Sequence, residues 1–164
     1  MIAKHLRLHC YGFLMLALTC VPSMASDLAP EFTVPTQLDS ISLQQLKGKV
    51  VYLDFWASWC KPCFTSFPWM EKMQQKYKDK GLVVLAINLD KDRNLSNKFL
   101  EKQTTSFTIG FDSVGSVPTA YKLQGMPSAF IIDKTGVIRF RHVGFNEEKA
   151  EIYEKQLASL LVEN

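Results

Sequence analysis

The stretch Val50-Val51-Tyr52-Leu53-Asp54-Phe55-Trp56-Ala57-Ser58-Trp59-Cys60-Lys61-Pro62-Cys63 constrains this chain more than any other. Its first half is apolar, β-branched and aromatic, with Gly48 just before it, which predicts a buried strand. Its second half is a Cys-x-x-Cys pair followed by a sequence compatible with a helix. The pair therefore falls where a strand ends and a helix begins. The first amides of a helix lack internal partners and carry partial positive charge, so they stabilise a thiolate. The expected placement is Cys60 at the helix N-cap and Cys63 one turn in. A thiolate so placed is nucleophilic at neutral pH, and a second thiol one turn away can displace it.

The N-terminal 25 residues read as an address. Lys4 and Arg7 give a basic start, residues 12–21 are largely apolar, and Ser23-Met24-Ala25 offers the small residues of a cleavage site. This has the form of a secretory signal peptide. The apolar run is short for a bilayer span, which weighs against an uncleaved anchor. Leu18-Thr19 ahead of Cys20 fits a lipid-attachment signal poorly. Removing residues 1–25 takes away two cations and no acid, so the net charge falls from +3 to +1. That balance gives no basic surface for nucleic acid. Cys10 and Cys20 leave too, and Cys60 and Cys63 are then the only cysteines. A bridge between neighbours so close in sequence restricts the unfolded chain little, so the pair is expected to work chemically rather than as a staple.

Residues 26–164 are expected to form one domain with a substantial core. Phe32-Thr33-Val34 suggests a short edge strand, and residues 39–46 a short capped helical turn. Phe64 to Lys80 has helical spacing (Phe64, Phe67, Met70, Met73, Tyr77), with Pro68 inside and Gly81 at the end. A second buried strand is expected over 82–89, a helix over 92–103, a third strand over 107–111 and a short helical stretch over 117–123. Ser128 to Asp133 and Val137 to Val143 read as strands joined by Lys134-Thr135-Gly136, a hairpin signal. An amphipathic helix over 147–162 closes the chain. The sum is an α/β fold: a mixed central sheet with parallel first strands, an antiparallel last pair, and helices on both faces.

Three segments carry a family resemblance: Phe55-Trp56-Ala57-Ser58-Trp59-Cys60-Lys61-Pro62-Cys63, Pro68, and Gly125-Met126-Pro127-Ser128-Ala129-Phe130 before the hairpin. Over roughly residues 30–163 the chain resembles thioredoxin-fold proteins, and more narrowly the exported TlpA/ResA-like thiol-disulfide oxidoreductases. The longer segment between the active-site helix and Pro127 is similar to that branch. The resemblance implies that Cys60 attacks, Cys63 resolves, and the pair closes as a disulfide. It also implies that Asp54, a carboxylate in a buried strand, takes the proton of Cys63. Ala86 stands where thioredoxin has a lysine near that acid. Pro127 would be a cis proline, exposing the backbone of Met126 to a client, and Trp59 would contact substrate. Trp56 is expected to pack in the core. Lys61 adds positive charge that favours the thiolate. No organic cofactor is implied. The implied partners are client thiols and disulfides and a membrane thiol transporter that recharges the protein. The family leans to reduction of periplasmic clients such as apocytochrome c or copper-site cysteines. An oxidant differs only in redox poise. A Sco-type copper metallochaperone, using Cys60, Cys63 and His142, shares the fold but spaces its cysteines by three residues. Zinc would need more nitrogen or sulfur ligands than two cysteines and His142 supply.

Overall fold

The computed structural model describes residues 27–163; the expected signal segment lies outside them. Seven strands and four helices follow one another: β1 (Thr33–Pro35), β2 (Ser40–Ser42), β3 (Val50–Trp56), α1 (Cys63–Tyr77), β4 (Leu82–Asn88), α2 (Arg93–Leu100), β5 (Thr108–Phe111), α3 (Ser116–Ala120), β6 (Ser128–Ile132), β7 (Ile138–Val143) and α4 (Glu147–Val162). Five strands form the central sheet in the order β5-β4-β3-β6-β7, and β1 and β2 pair separately. β3, β4 and β5 run parallel, while β6 is antiparallel to β3 and β7 to β6. The mixed sheet is the one expected.

β3 is the middle strand, and all seven of its residues are buried. Val50, Leu53, Phe55 and Trp56 are completely covered. Each such side chain contributes about 1.5–3 kcal/mol relative to exposure. Alternation along the strand supplies two cores. One gathers Tyr52, Trp56, both cysteines, Phe67, Met70 and Met73 of α1, Phe99 of α2, and Leu157, Leu160 and Leu161 of α4. The other gathers Leu53, Phe55, Leu85 and Ile87 with Val34, Leu43, Val117 and Tyr121. Tyr121 is fixed there by donating its hydroxyl to Pro30 O (2.9 Å).

Side-chain caps set the helix starts. Asp92 accepts from Asn94 N (2.9 Å) ahead of α2, and Asn146 accepts from Lys149 N (2.9 Å) ahead of α4. Glu147 and Glu148 in the first turn of α4 also suit its dipole. In the hairpin, Asp133 Oδ1 accepts from Thr135 N and Val137 N, and Gly136 takes a φ of +90°. That left-handed conformation favours glycine.

Two expectations are corrected. Residues 39–46 are not a single helical turn. Ser40–Ser42 pairs with Thr33–Pro35, and only Leu43–Leu46 winds as a 3-10 turn, capped by Ser42. The two alternating serines let the segment pair as a ribbon before the cap begins. Cys60 is also not the N-cap. α1 starts at Cys63, with Pro62 at the cap. Residues 60–63 instead form a tight turn in which Cys63 N donates to Cys60 O (3.0 Å) and Phe64 N to Lys61 O (3.1 Å). Pro62 has no amide of its own to donate into this turn.

Candidate active site

The site lies at the C-terminal end of β3, where the chain leaves the sheet. Cys60 and Cys63 are joined by a disulfide (S–S 2.07 Å, Cα–Cα 5.4 Å). Their exposure differs: 4% for Cys60 and none for Cys63. Both residues are thus buried, Cys60 slightly less completely. Trp59 is 68% exposed beside it, whereas Trp56 is fully buried. The indole of Trp56 packs on Phe67 (4.9 Å) and Phe99 (4.7 Å). The different fates follow from position: Trp56 still belongs to β3, buried on both faces, and Trp59 lies in the loop beyond it. Lys61 is exposed.

The loop before Cys60 is tied down from β4. Asp90, which is buried, accepts from Ser58 N (2.9 Å), Ser58 Oγ (3.0 Å) and Asn88 Nδ2 (2.8 Å). Leu89 N donates to Trp56 O (2.9 Å). Neither Asp90 nor Asn88 was expected at the site. The available signal was two polar residues alternating around Leu89 at the end of a buried strand.

Asp54 sits between Ala86 of β4 and Ala129 of β6 in register. It is 1% exposed, and its Oδ2 has no hydrogen-bond partner. Its side chain projects toward the core that holds both cysteines. Burial pushes its carboxyl well above the usual range. Two flanking alanines offer no charge and no donor, so nothing opposes that shift. Burial, with Asp54 as a second cause, also raises the Tyr52 phenol.

In the loop ahead of β6 the Met126–Pro127 peptide bond is cis. Pro127 O accepts from Gly144 N (2.8 Å), and Ser128 Oγ donates to Gly125 O (2.7 Å). These bonds fix the loop ahead of β6. Met126 packs at the edge of the core that contains the two cysteines.

His142 is occupied elsewhere. Its ring stacks on Tyr153 (3.5 Å between centroids, 10° between planes), and its Nε2 meets Gln156 Oε1 at 2.7 Å. Burial lowers its pKa; Gln156 acts in the opposite sense and Lys149 in the same one. Among the described residues no group of three or more His, Cys, Asp or Glu side chains is placed to hold a metal ion.

A buried Cys-x-x-Cys disulfide just beyond the middle strand of a mixed sheet flanked by helices defines a thiol-disulfide oxidoreductase of thioredoxin fold. The comparisons with known proteins agree. The Redoxin family model matches residues 24–157, and the chain belongs to that family. The thiol-disulfide oxidoreductase ResA of Bacillus anthracis is 34% identical over 132 residues, covering 79% of this chain and 76% of that protein. The thioredoxin-like protein YneN of Bacillus subtilis is 39% identical over 125 residues, covering 74% and 72%. The crystal structure of a thiol:disulfide interchange protein DsbE from Chlorobium tepidum superposes with a TM-score of 0.82. It is 46% identical and covers 83% of this chain and 96% of its own.

Proposed function

We propose that the protein works outside the cytoplasm as a reductant of client disulfides, with residues 1–25 as its signal and residues 26–164 as its working domain. The observation that carries the redox roles is the asymmetry of the pair: Cys63 is completely covered, while Cys60 keeps 4% exposure next to exposed Trp59. In the reduced enzyme the Cys60 thiolate attacks one sulfur of a client disulfide. The client S–S bond breaks, a Cys60–client disulfide forms, and one client thiolate leaves. Asp54 then takes the proton of Cys63. The Cys63 thiolate attacks Cys60 Sγ, closing the Cys60–Cys63 disulfide and releasing the second client thiolate. Lys61 and the turn amides favour the first thiolate. Met126, held beside Pro127, offers its backbone to an extended client segment, and Trp59 gives that segment apolar contact. The reducing direction, clients such as apocytochrome c or copper-site cysteines, and recharging by a membrane thiol transporter rest on the resemblance to TlpA/ResA-like proteins. The copper-chaperone reading needs His142 beside the thiols, and the Tyr153 stack and Gln156 contact engage that ring instead.

Removing the resolving thiol tests the roles. Cys63→Ser is expected to accumulate client proteins as mixed disulfides that reductant releases, and Cys60→Ser to accumulate none. Trapping by Cys60→Ser instead would reverse the assignment. The equilibrium of the wild-type pair against glutathione tests direction: a pair that stays reduced only in a large excess of reduced glutathione fits a reductant, and one reduced by traces of it fits an oxidant.

A further inference from the structure

We infer that Asp90 is a positioning residue that holds the turn carrying Cys60. A carboxylate only 4% exposed is costly unless its oxygens are well bonded. Asp90 meets that cost with three donors, two of them from Ser58 on the approach to the active site. Oδ2 accepts from Ser58 N (2.9 Å) and Asn88 Nδ2 (2.8 Å), and Oδ1 accepts from Ser58 Oγ (3.0 Å). Its own amide donates back to Asn88 Oδ1 (3.1 Å). It does not cap α2, because Asp92 fills that role.

Both donors of Ser58 are thus fixed to the sheet through one side chain. From there the bonds run on: Cys60 N donates to Ala57 O (3.0 Å), and Cys63 N to Cys60 O (3.0 Å). Trp59, between Ser58 and Cys60, has most of its ring in solvent and anchors the loop little. The Asp90 grip on Ser58, beside the bond from Leu89 N to Trp56 O, ties the turn to the end of β4. A turn so held fixes Cys60 just ahead of the start of α1, whose partial positive charge stabilises a thiolate. A loosened turn gives up part of that stabilisation, since misplacement on the ångström scale is felt strongly in such sites.

Position can be separated from charge. Asn has nearly the shape of Asp, can accept from Ser58 N and Asn88, and can donate to Ser58 Oγ, but carries no charge. This inference rests on Cys60 being the attacking thiol, and the test separates the two. The reduced protein is alkylated with iodoacetamide across a pH series, and the rate at each cysteine is followed by peptide mass spectrometry. Which cysteine of the wild type reacts first tests the attacker; how Cys60 itself changes among variants tests Asp90. Asp90→Ala is expected to raise the Cys60 pKa and to slow its alkylation at neutral pH about three- to tenfold, because the thiolate fraction falls. Asp90→Asn should restore the wild-type profile, and Ser58→Ala should move it in the same direction as Asp90→Ala by less. The inference is overturned if folded Asp90→Ala keeps the wild-type Cys60 profile, or if Asp90→Asn shifts as far as Asp90→Ala. If Asp90→Ala does not fold, Ser58→Ala decides: a wild-type profile there overturns the inference, and a raised pKa supports it.

Discussion

Asp54 and His142 are buried titratable side chains of the cysteine-bearing face with opposite effects on stability. The Asp54 carboxyl titrates well above its ordinary value because burial disfavours the charge. A carboxyl raised in this way contributes stability that is fully present below its unfolded pKa near 4 and is lost as pH rises through its folded pKa. Asp54→Asn should therefore raise the melting temperature by several degrees at pH 7, and the gain should shrink toward nothing near pH 4. The same variant should leave the first attack nearly intact and slow the release of mixed disulfide. A variant less stable at pH 7, or one slowed only in the first attack, would contradict this account. His142 has the opposite sense. Its pKa is lowered mainly by burial, so its contribution is present above the unfolded pKa near 6.5 and is lost as pH falls through the lower folded value. The two slopes overlap, so His142→Gln is best compared in the Asp54→Asn background. There the protein that keeps His142 should lose stability between pH 7 and pH 5, and the one carrying His142→Gln should lose distinctly less. Parallel thermal-denaturation profiles for the two would remove His142 from the pH response.

At the scale of elements, the long periodic segments were legible before the fold was known. β3, β4, α1 and α4 fall within a few residues of their expected bounds because each has a strong apolar pattern and an identifiable stop. β2 was not legible, since Ser40-Ile41-Ser42 is too short to carry a period and its partner is only three residues long. The start of α1 was displaced because helical spacing says little about how a Lys-Pro pair winds the turn before it. Tertiary ties between elements were equally silent. Glu71 of α1 accepts from Ser106 N (2.6 Å) and thereby fixes the approach to β5, yet Glu71 reads in sequence as an ordinary surface charge. Gly110 of β5 is a similar case. A Cβ there would lie 2.8 Å from Val34 Cγ2, because β1 crosses β5 closely. Gly110→Ala should destabilise the fold by about 1–3 kcal/mol, as overpacking does. Val34→Ala should offset part of that loss in the double variant, and a strictly additive double-mutant cycle in urea would show that the two do not meet.

For the whole molecule, the stretch just after the expected signal is tied to the last two strands. Asp27 O accepts from Ile138 N (2.8 Å), Asp27 pairs with Arg141 (2.6 Å), and Ala29 N donates to Gly136 O (2.9 Å). These contacts lie beyond Ala25, so cleavage there would leave them in the domain. The site makes matching demands. A pair that shuttles between dithiol and disulfide works best with no competing thiol in the chain, and cutting after Ala25 removes Cys10 and Cys20. The expected outcome in a bacterial host is a protein whose N-terminal residue is Ser26, recovered from the periplasmic extract without detergent. After reduction it should titrate two thiols. Intact mass and thiol counting check both points. A full-length mass in the membrane fraction, with four titratable thiols, would make residues 1–25 an anchor instead.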